Sequence, residues 1–304
     1  YLMMTSIIKL RGRGMSRIIN SKVMLSPLAG VTDKVFRKLV RKWAPESLLF
    51  TEMINATSLK HGYGTQKMKN LNEKRELAAA FRWFARLDMN EGIANHFSLA
   101  VSDDGQNFLM NPVGKFWSKI KSSDILELDT RIEPKNIGLV VDETAWCIHG
   151  AIHRKVPNAK CIMHLHPQYS TALSCLRDPK LPALNQESMM FHNRVSYDLD
   201  YGGLGIVDEG EIIASKIGNN SIIMMGQNGI IVTGQSVAET FDKMYYFERA
   251  ARIYITALQT GQELSISKDD IAEKTALQAE EYKSELHFKA VIDVLDEEEP
   301  EYRN

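Results

Sequence analysis

Cysteine is scarce in this chain: Cys147, Cys161 and Cys175 are all it has in 304 residues. So few thiols exclude a disulfide-stapled scaffold and point to a reducing compartment. Each lies in an apolar run, which reads as a buried, inert thiol. An excess of either charge is also missing, with 37 Lys and Arg against 38 Asp and Glu. A uniformly basic surface is thereby excluded, and nucleic-acid binding is not expected. No stretch reaches the roughly 18 apolar residues of a membrane span. The start of the chain lacks the apolar core and small-residue cleavage site of a secretory signal. The expectation is a cytoplasmic protein with no membrane association. What the chain does have is a hydrophobic fraction of 44%, enough to bury a core in one large domain or two small ones.

The most informative stretch is Cys161-Ile162-Met163-His164-Leu165-His166-Pro167. It reads as a short β-strand over residues 161–166. Side chains alternate along a strand, so His164 and His166 point the same way and Leu165 points opposite. Two imidazoles at a strand end, before a Pro that stops ladder pairing, form half of a metal site.

The first 68 residues read differently from the rest. Between residues 1 and 45 many Lys and Arg face a single acid, Asp33. A buried strand at residues 23–25 enters a helix over about 35–43, with Asp33 favourably placed at its N-terminus. A second strand is expected near residues 47–53. This β-α-β opening resembles the N-terminus of dihydrouridine synthases, flavin enzymes with a TIM barrel that act on transfer RNA. The matching residues are Leu25-Ser26-Pro27-Leu28-Ala29-Gly30-Val31-Thr32-Asp33 and Leu49-Phe50-Thr51-Glu52-Met53, within about residues 22–66. A (β/α)₈ barrel takes about 250 residues and eight such units. The expectation is therefore an incomplete β-α-β fragment with no flavin bound, appended by gene fusion or a misplaced start codon. Met68 is then a plausible start for the second piece.

From residue 72 onward the pattern is that of one αβ domain. Apolar Leu77, Ala80, Phe81, Phe84 and Leu87 recur at helical spacing over residues 73–88, with Lys74, Arg75, Arg82 and Arg86 on the outer face. Further helices are expected at 143–155, 170–176, 210–217 and 237–258. Strands are expected around 96–101, 108–112, 125–129, 161–166, 222–225 and 229–232. Hairpins mixed with helices predict a mainly antiparallel sheet in an α/β domain. Residues 263–304 read as a charged helix or arm ending in a disordered acidic tail. The boundaries expected are 1–68, 69–262 and 263–304.

Five blocks in this second piece, in order, resemble the class II aldolase/adducin family over about residues 73–279. They are Gly92-Ile93-Ala94-Asn95-His96-Phe97-Ser98, Asn111-Pro112-Val113-Gly114, Ile148-His149-Gly150-Ala151-Ile152-His153, His164-Leu165-His166-Pro167-Gln168-Tyr169 and Gly226-Gln227-Asn228-Gly229-Ile230-Ile231-Val232-Thr233-Gly234. The resemblance implies a class II aldolase-like three-layer αβα domain, a homotetramer, and a zinc or other divalent metal held by three histidines.

Carried over, His164 and His166 take two ligand positions, and the third falls on Asn228, whose amide oxygen is a poor zinc donor beside imidazole. His192, His149 and His153 are the available substitutes. The family's acid/base Glu has no counterpart in the loop over residues 112–120; it maps to Ser118 or Lys119, and Glu187 is the carboxylate that would replace it. The family's phosphate-binding turn corresponds to Asn95, His96 and Ser98, together with Gly114; His96 replaces an Asn there, and Val113 a hydroxyl. The resemblance supports two functions. One is a metal-dependent aldolase-like enzyme on a small sugar-derived substrate. The other is a non-catalytic scaffold like the adducin head, with a cytoskeletal or actin-related role.

Overall fold

A computed structural model describes residues 8–9, 18–19, 24–25, 48–49, 63–200 and 209–304. The chain divides into two compact units, Tyr1–Lys69 and Asn70–Asn304. In the first, β1 (Ile8–Lys9) pairs antiparallel with β2 (Ile18–Ile19), and β3 (Met24–Leu25) pairs parallel with β4 (Leu48–Leu49). A parallel pair is what a β-α-β opening produces. The helix expected at 35–43 lies outside the described residues, as do most of the motif residues around it.

The second unit is built on a seven-stranded sheet. Its strands are β5 (His96–Ala100), β6 (Asn107–Met110), β7 (Leu126–Asp129), β8 (Cys161–Leu165), β9 (Val195–Asp198), β10 (Ile222–Met225) and β11 (Ile230–Gly234). They lie in the order β7-β6-β5-β8-β11-β10-β9. Every neighbouring pair is antiparallel except β9 with β10. The sheet is therefore mixed, and the parallel edge has a physical cause: parallel strands need a crossover, and a helix between β9 and β10 supplies one.

The described helices are α1 (Tyr63–Arg86), α2 (Glu143–Lys155), α3 (Gln168–Ser174), α4 (Gln186–Met189), α5 (Glu209–Ile217), α6 (Val237–Leu258), α7 (Asp269–Glu280) and α8 (Ser284–Glu298). On one sheet face α1, α6 and α8 bury Leu77, Phe81, Phe84, Phe241, Phe247 and Phe288 against Phe97, Met163 and Leu165. The Phe81 and Phe97 rings stack at 4.2 Å. On the other face α2 and α5 bury Ile148, Ile152, Ile213 and Ile217 against Ile162, Ile223 and Ile231. This is the three-layer αβα arrangement. The strand period of two explains both faces at once: Cys161, Met163 and Leu165 enter one core, Ile162 the other, and His164 points with Ile162 toward α2. No described helix is long and apolar enough to cross a membrane.

Three expectations are corrected. The acidic end is folded: after α8 a 3₁₀ turn, Pro300–Arg303, buries Tyr302 to 1% exposure. Its glutamates meet the cations of α1, so Arg82 is buried rather than on an outer face. Arg82 donates to Glu299 at 2.6 Å, Glu301 at 3.0 Å and the Ile120 carbonyl at 2.9 Å. A buried guanidinium is stable only when its donors are satisfied this way. Of the thiols, only Cys161 is buried; Cys147 is half-buried and Cys175 exposed. Cys175 caps the C-terminus of α3, where Leu173 and Ser174 take the inward positions.

Candidate active site

The end of β8 opens into a cleft of about 310 Å³. Asn95, His96, His164 and His166 line it from the strand ends, Asp142 and Glu209 from the helix side, and Asn228 from the β10–β11 hairpin. The convergence is a result of register. His96 on β5 lies directly opposite His164 on β8, and β11 runs along the other side of β8 with Ile230 opposite Leu165. Pro167, the N-cap of α3, ends the strand just after His166.

The hairpin can approach only because residue 229 is glycine. A Cβ there would stand 2.3 Å from the Leu165 carbonyl oxygen and 2.5 Å from His166 Cδ2. Asn95 sits in the left-handed region at φ 70°, which Asn tolerates better than most residues. Its Oδ1 accepts from the His166 backbone N–H at 3.3 Å, tying the turn before β5 to the end of β8.

Each strand histidine is oriented by a partner behind it. His164 Nδ1 donates to the Ile230 carbonyl at 3.1 Å, and His166 Nδ1 donates to Glu91 Oε2 at 2.7 Å. With the proton on Nδ1, each Nε2 of a neutral ring carries a lone pair. The two Nε2 atoms face each other at 3.0 Å. Two lone pairs at that distance repel unless a proton or a metal cation is shared between them, and backing of ring N–H groups by carboxylate and carbonyl is the usual support of metal-bound histidine. Asn228 Oδ1, lining the same cleft, is buried without a hydrogen-bond partner. An orphaned buried acceptor beside two facing lone pairs fits a divalent cation. Among the described residues no set of three or more His, Cys, Asp or Glu side chains is gathered to hold one; the groups that could do so here are the two imidazoles and the Asn228 amide oxygen.

A second group of histidines lies beneath. His96 Nδ1 and His149 Nε2 are 2.7 Å apart, His149 Nδ1 and Ser98 Oγ 2.5 Å, Ser98 Oγ and His153 Nε2 2.7 Å, and His153 Nδ1 and the Ala159 carbonyl 2.8 Å. Burial, which penalises the charged ring, pushes His96 and His153 down to about 4. It also holds His149 and His164 well below the ordinary imidazole value, helped by the neighbouring imidazoles.

The structure brings His164, His166, Asn228, Asn95 and His96 together. Ser98 is fully buried below them, and Gly114 stands outside the lining, in the loop whose Val113 borders the cleft. Lys119 is exposed in a 3₁₀ turn, and Glu187 is held by Asn185 Nδ2 at 2.6 Å; neither lines the cleft. His192 does not line it either, and both nitrogens of His149 and of His153 are engaged by hydrogen bonds. Glu91, Asp142 and Glu209 were not foreseen from sequence. Glu91 lies 75 residues from the histidine it orients, and no local spacing links them.

The family model described as Class II Aldolase and Adducin N-terminal domain matches residues 75–255. That is more than half of the chain, which therefore belongs to the class II aldolase and adducin family. The dihydrouridine synthase model matches residues 24–81. An adducin-related protein of Schizosaccharomyces pombe is 35% identical over 213 residues, covering 66% of this chain and 64% of that protein. The chain thus spans somewhat under two thirds of that relative's length. An aldolase II superfamily protein from Pseudomonas syringae superposes with TM-score 0.70 at 27% identity, over 77% of this chain and 96% of that one. L-fuculose 1-phosphate aldolase from Glaciozyma antarctica shares the fold with TM-score 0.67 at 22% identity, over 79% and 94%.

Proposed function

We propose that this chain is a metal-dependent, aldolase-like enzyme acting on a small sugar-derived hydroxy-carbonyl compound. His164, His166 and Asn228 hold zinc or another divalent cation. The observation that carries this reading is the facing pair of Nε2 atoms, 3.0 Å apart, each with its other nitrogen already donating. When bound, the cation supplies a Lewis acid that polarises a carbonyl oxygen.

The chain's own groups do the rest. Glu91 and the Ile230 carbonyl fix the two rings, and Asn95 fixes the backbone that carries His166. Asp142, the N-cap of α2, and Glu209 are the carboxylates that line the cleft, and we assign to this pair the proton transfer that the family's missing Glu performs, in preference to Lys119 and Glu187, which do not line it. Self-association, as a homotetramer in the cytoplasm, belongs to the same reading. Residues 22–66 stand in it as a truncated dihydrouridine-synthase-like fragment that takes no part in the chemistry.

The test is elemental analysis after dialysis against zinc. The enzyme reading expects about one zinc per chain, lost in the His164→Ala and His166→Ala variants. A protein that holds no zinc, and whose stability zinc leaves unchanged, would instead be an adducin-like oligomeric scaffold. The amide at Asn228 is the observation that favours that second reading.

A further inference from the structure

The buried hydrogen-bond chain beneath the cleft has a direction fixed at its inner end. The Ala159 carbonyl can only accept, so His153 donates through Nδ1. Its Nε2 then accepts the Ser98 hydroxyl proton. Ser98 has no second proton, so its oxygen accepts from His149 Nδ1. His149 Nε2 in turn accepts from His96 Nδ1. Each step forces the next as long as the rings are neutral. The chain of consequence ends at His96, which lines the cleft and is left with a lone pair on Nε2, on the ring edge turned away from His149.

The rest of the lining carries no fixed positive side chain: it includes the carboxylates of Asp142 and Glu209 beside the neutral side chains of Asn95, Asn111, Thr144 and Asn228 and, among the described residues, no lysine or arginine. A phosphate dianion is recognised by hydrogen-bond donors and positive charge. Of the cleft's lining, His96 presents an acceptor and Val113 a hydrocarbon. An acceptor among carboxylates suits a hydroxyl, which arrives with its own proton.

From this geometry we infer that the cleft binds an unphosphorylated, hydroxyl-bearing part of its substrate, with His96 Nε2 accepting a hydrogen bond from a substrate hydroxyl and phosphate esters rejected. The inference rests on the proposed metal-dependent function for the remainder of the substrate. Ser98, His149 and His153 act as positioning residues: they touch no substrate and set which ring nitrogen of His96 carries the proton. A site built to satisfy a hydroxyl discriminates strongly against groups that leave its own polar atoms unmatched.

The test uses two probes with the same metal-chelating head, glycolohydroxamate and its phosphate ester, titrated calorimetrically into the zinc-loaded full chain. Glycolohydroxamate is expected to bind at least tenfold tighter than the ester. In His96→Asn, which offers an amide donor, the ratio should fall to about one or invert. Ser98→Ala interrupts the chain without entering the cleft, and it should also lower the ratio while zinc content stays at the wild-type level. A destabilised cavity alone would weaken both probes together. Equal affinity in the wild type, or tighter binding of the ester, overturns the inference. If the protein retains no zinc, the metal reading fails separately. The subsite is then judged in metal-free protein by saturation-transfer NMR with glycerol and glycerol 3-phosphate. Preference for glycerol supports the inference; preference for the ester, or binding of neither, overturns it.

Discussion

His166 is oriented by Glu91 through a contact of 2.7 Å to its Nδ1. Replacing Glu91 by Gln keeps the shape but removes the charge that makes Nε2 a stronger donor. Partners behind metal-bound histidines are worth about 10–100-fold in metal affinity, so Glu91→Gln should weaken zinc by that factor, read by competition with a chromophoric chelator. Asn228 offers the opposite change. Its buried Oδ1 has no partner, and an imidazole there would replace a poor zinc donor by a good one. Asn228→His should therefore tighten zinc by tenfold or more in the same assay. A variant with unchanged affinity would show that residue 228 does not face the cation. The sequence disclosed the histidine pair and the substitution at 228, because strand alternation and motif order are local. It did not disclose Glu91, whose role depends on the left-handed turn at Asn95 bringing residues 90–95 beside the end of β8.

At the scale of elements, the site depends on how closely the β10–β11 hairpin lies on β8. Gly229 allows that approach, and a methyl group there meets the Leu165 carbonyl at 2.3 Å. Gly229→Ala should cost about 1–3 kcal/mol, the usual range for overpacking, measured by urea denaturation. It should also push His166 out of line and weaken zinc at least tenfold. Gly218 is the control. Its φ is +61° but a Cβ meets nothing within 4 Å, so Gly218→Ala should cost about 1 kcal/mol of conformational strain and leave zinc binding alone. Most elements were legible from periodicity: α2, α6 and β10 have the bounds that the apolar pattern gives. The pattern missed β9, a four-residue edge strand with every side chain half-buried, and α4, a single turn set by the Asn185 cap. Neither carries enough apolar contrast to mark a face.

For the molecule as a whole, burial of neutral histidines makes stability depend on pH. His153 is lowered from 6.5 to about 4 by burial. Between those values the unfolded chain binds a proton that the folded chain refuses, so stability falls as pH drops from about 6.5 to about 4 and levels off below. His96, lowered to about 4, acts in the same direction. The shift on His153 corresponds to about 3 kcal/mol. In metal-free protein the stability of the wild type relative to His153→Gln should therefore decline by up to that amount over the window, followed by urea midpoints at several pH values. A difference independent of pH would mean that His153 is charged, or free to be charged, in the fold. The closure of the chain's end on α1 was beyond local reading for a reason of the same kind as Glu91. Arg82 and Glu299 are 217 residues apart, and composition alone assigns such glutamates to solvent. The central claim is the cation held between His164 and His166. X-ray absorption at the zinc edge of the full chain should give two imidazole nitrogens, marked by their outer-ring scattering, together with oxygen donors, and both imidazoles should vanish in the double His164→Ala, His166→Ala variant. A protein that binds no zinc, or a spectrum without imidazole scattering, would contradict it.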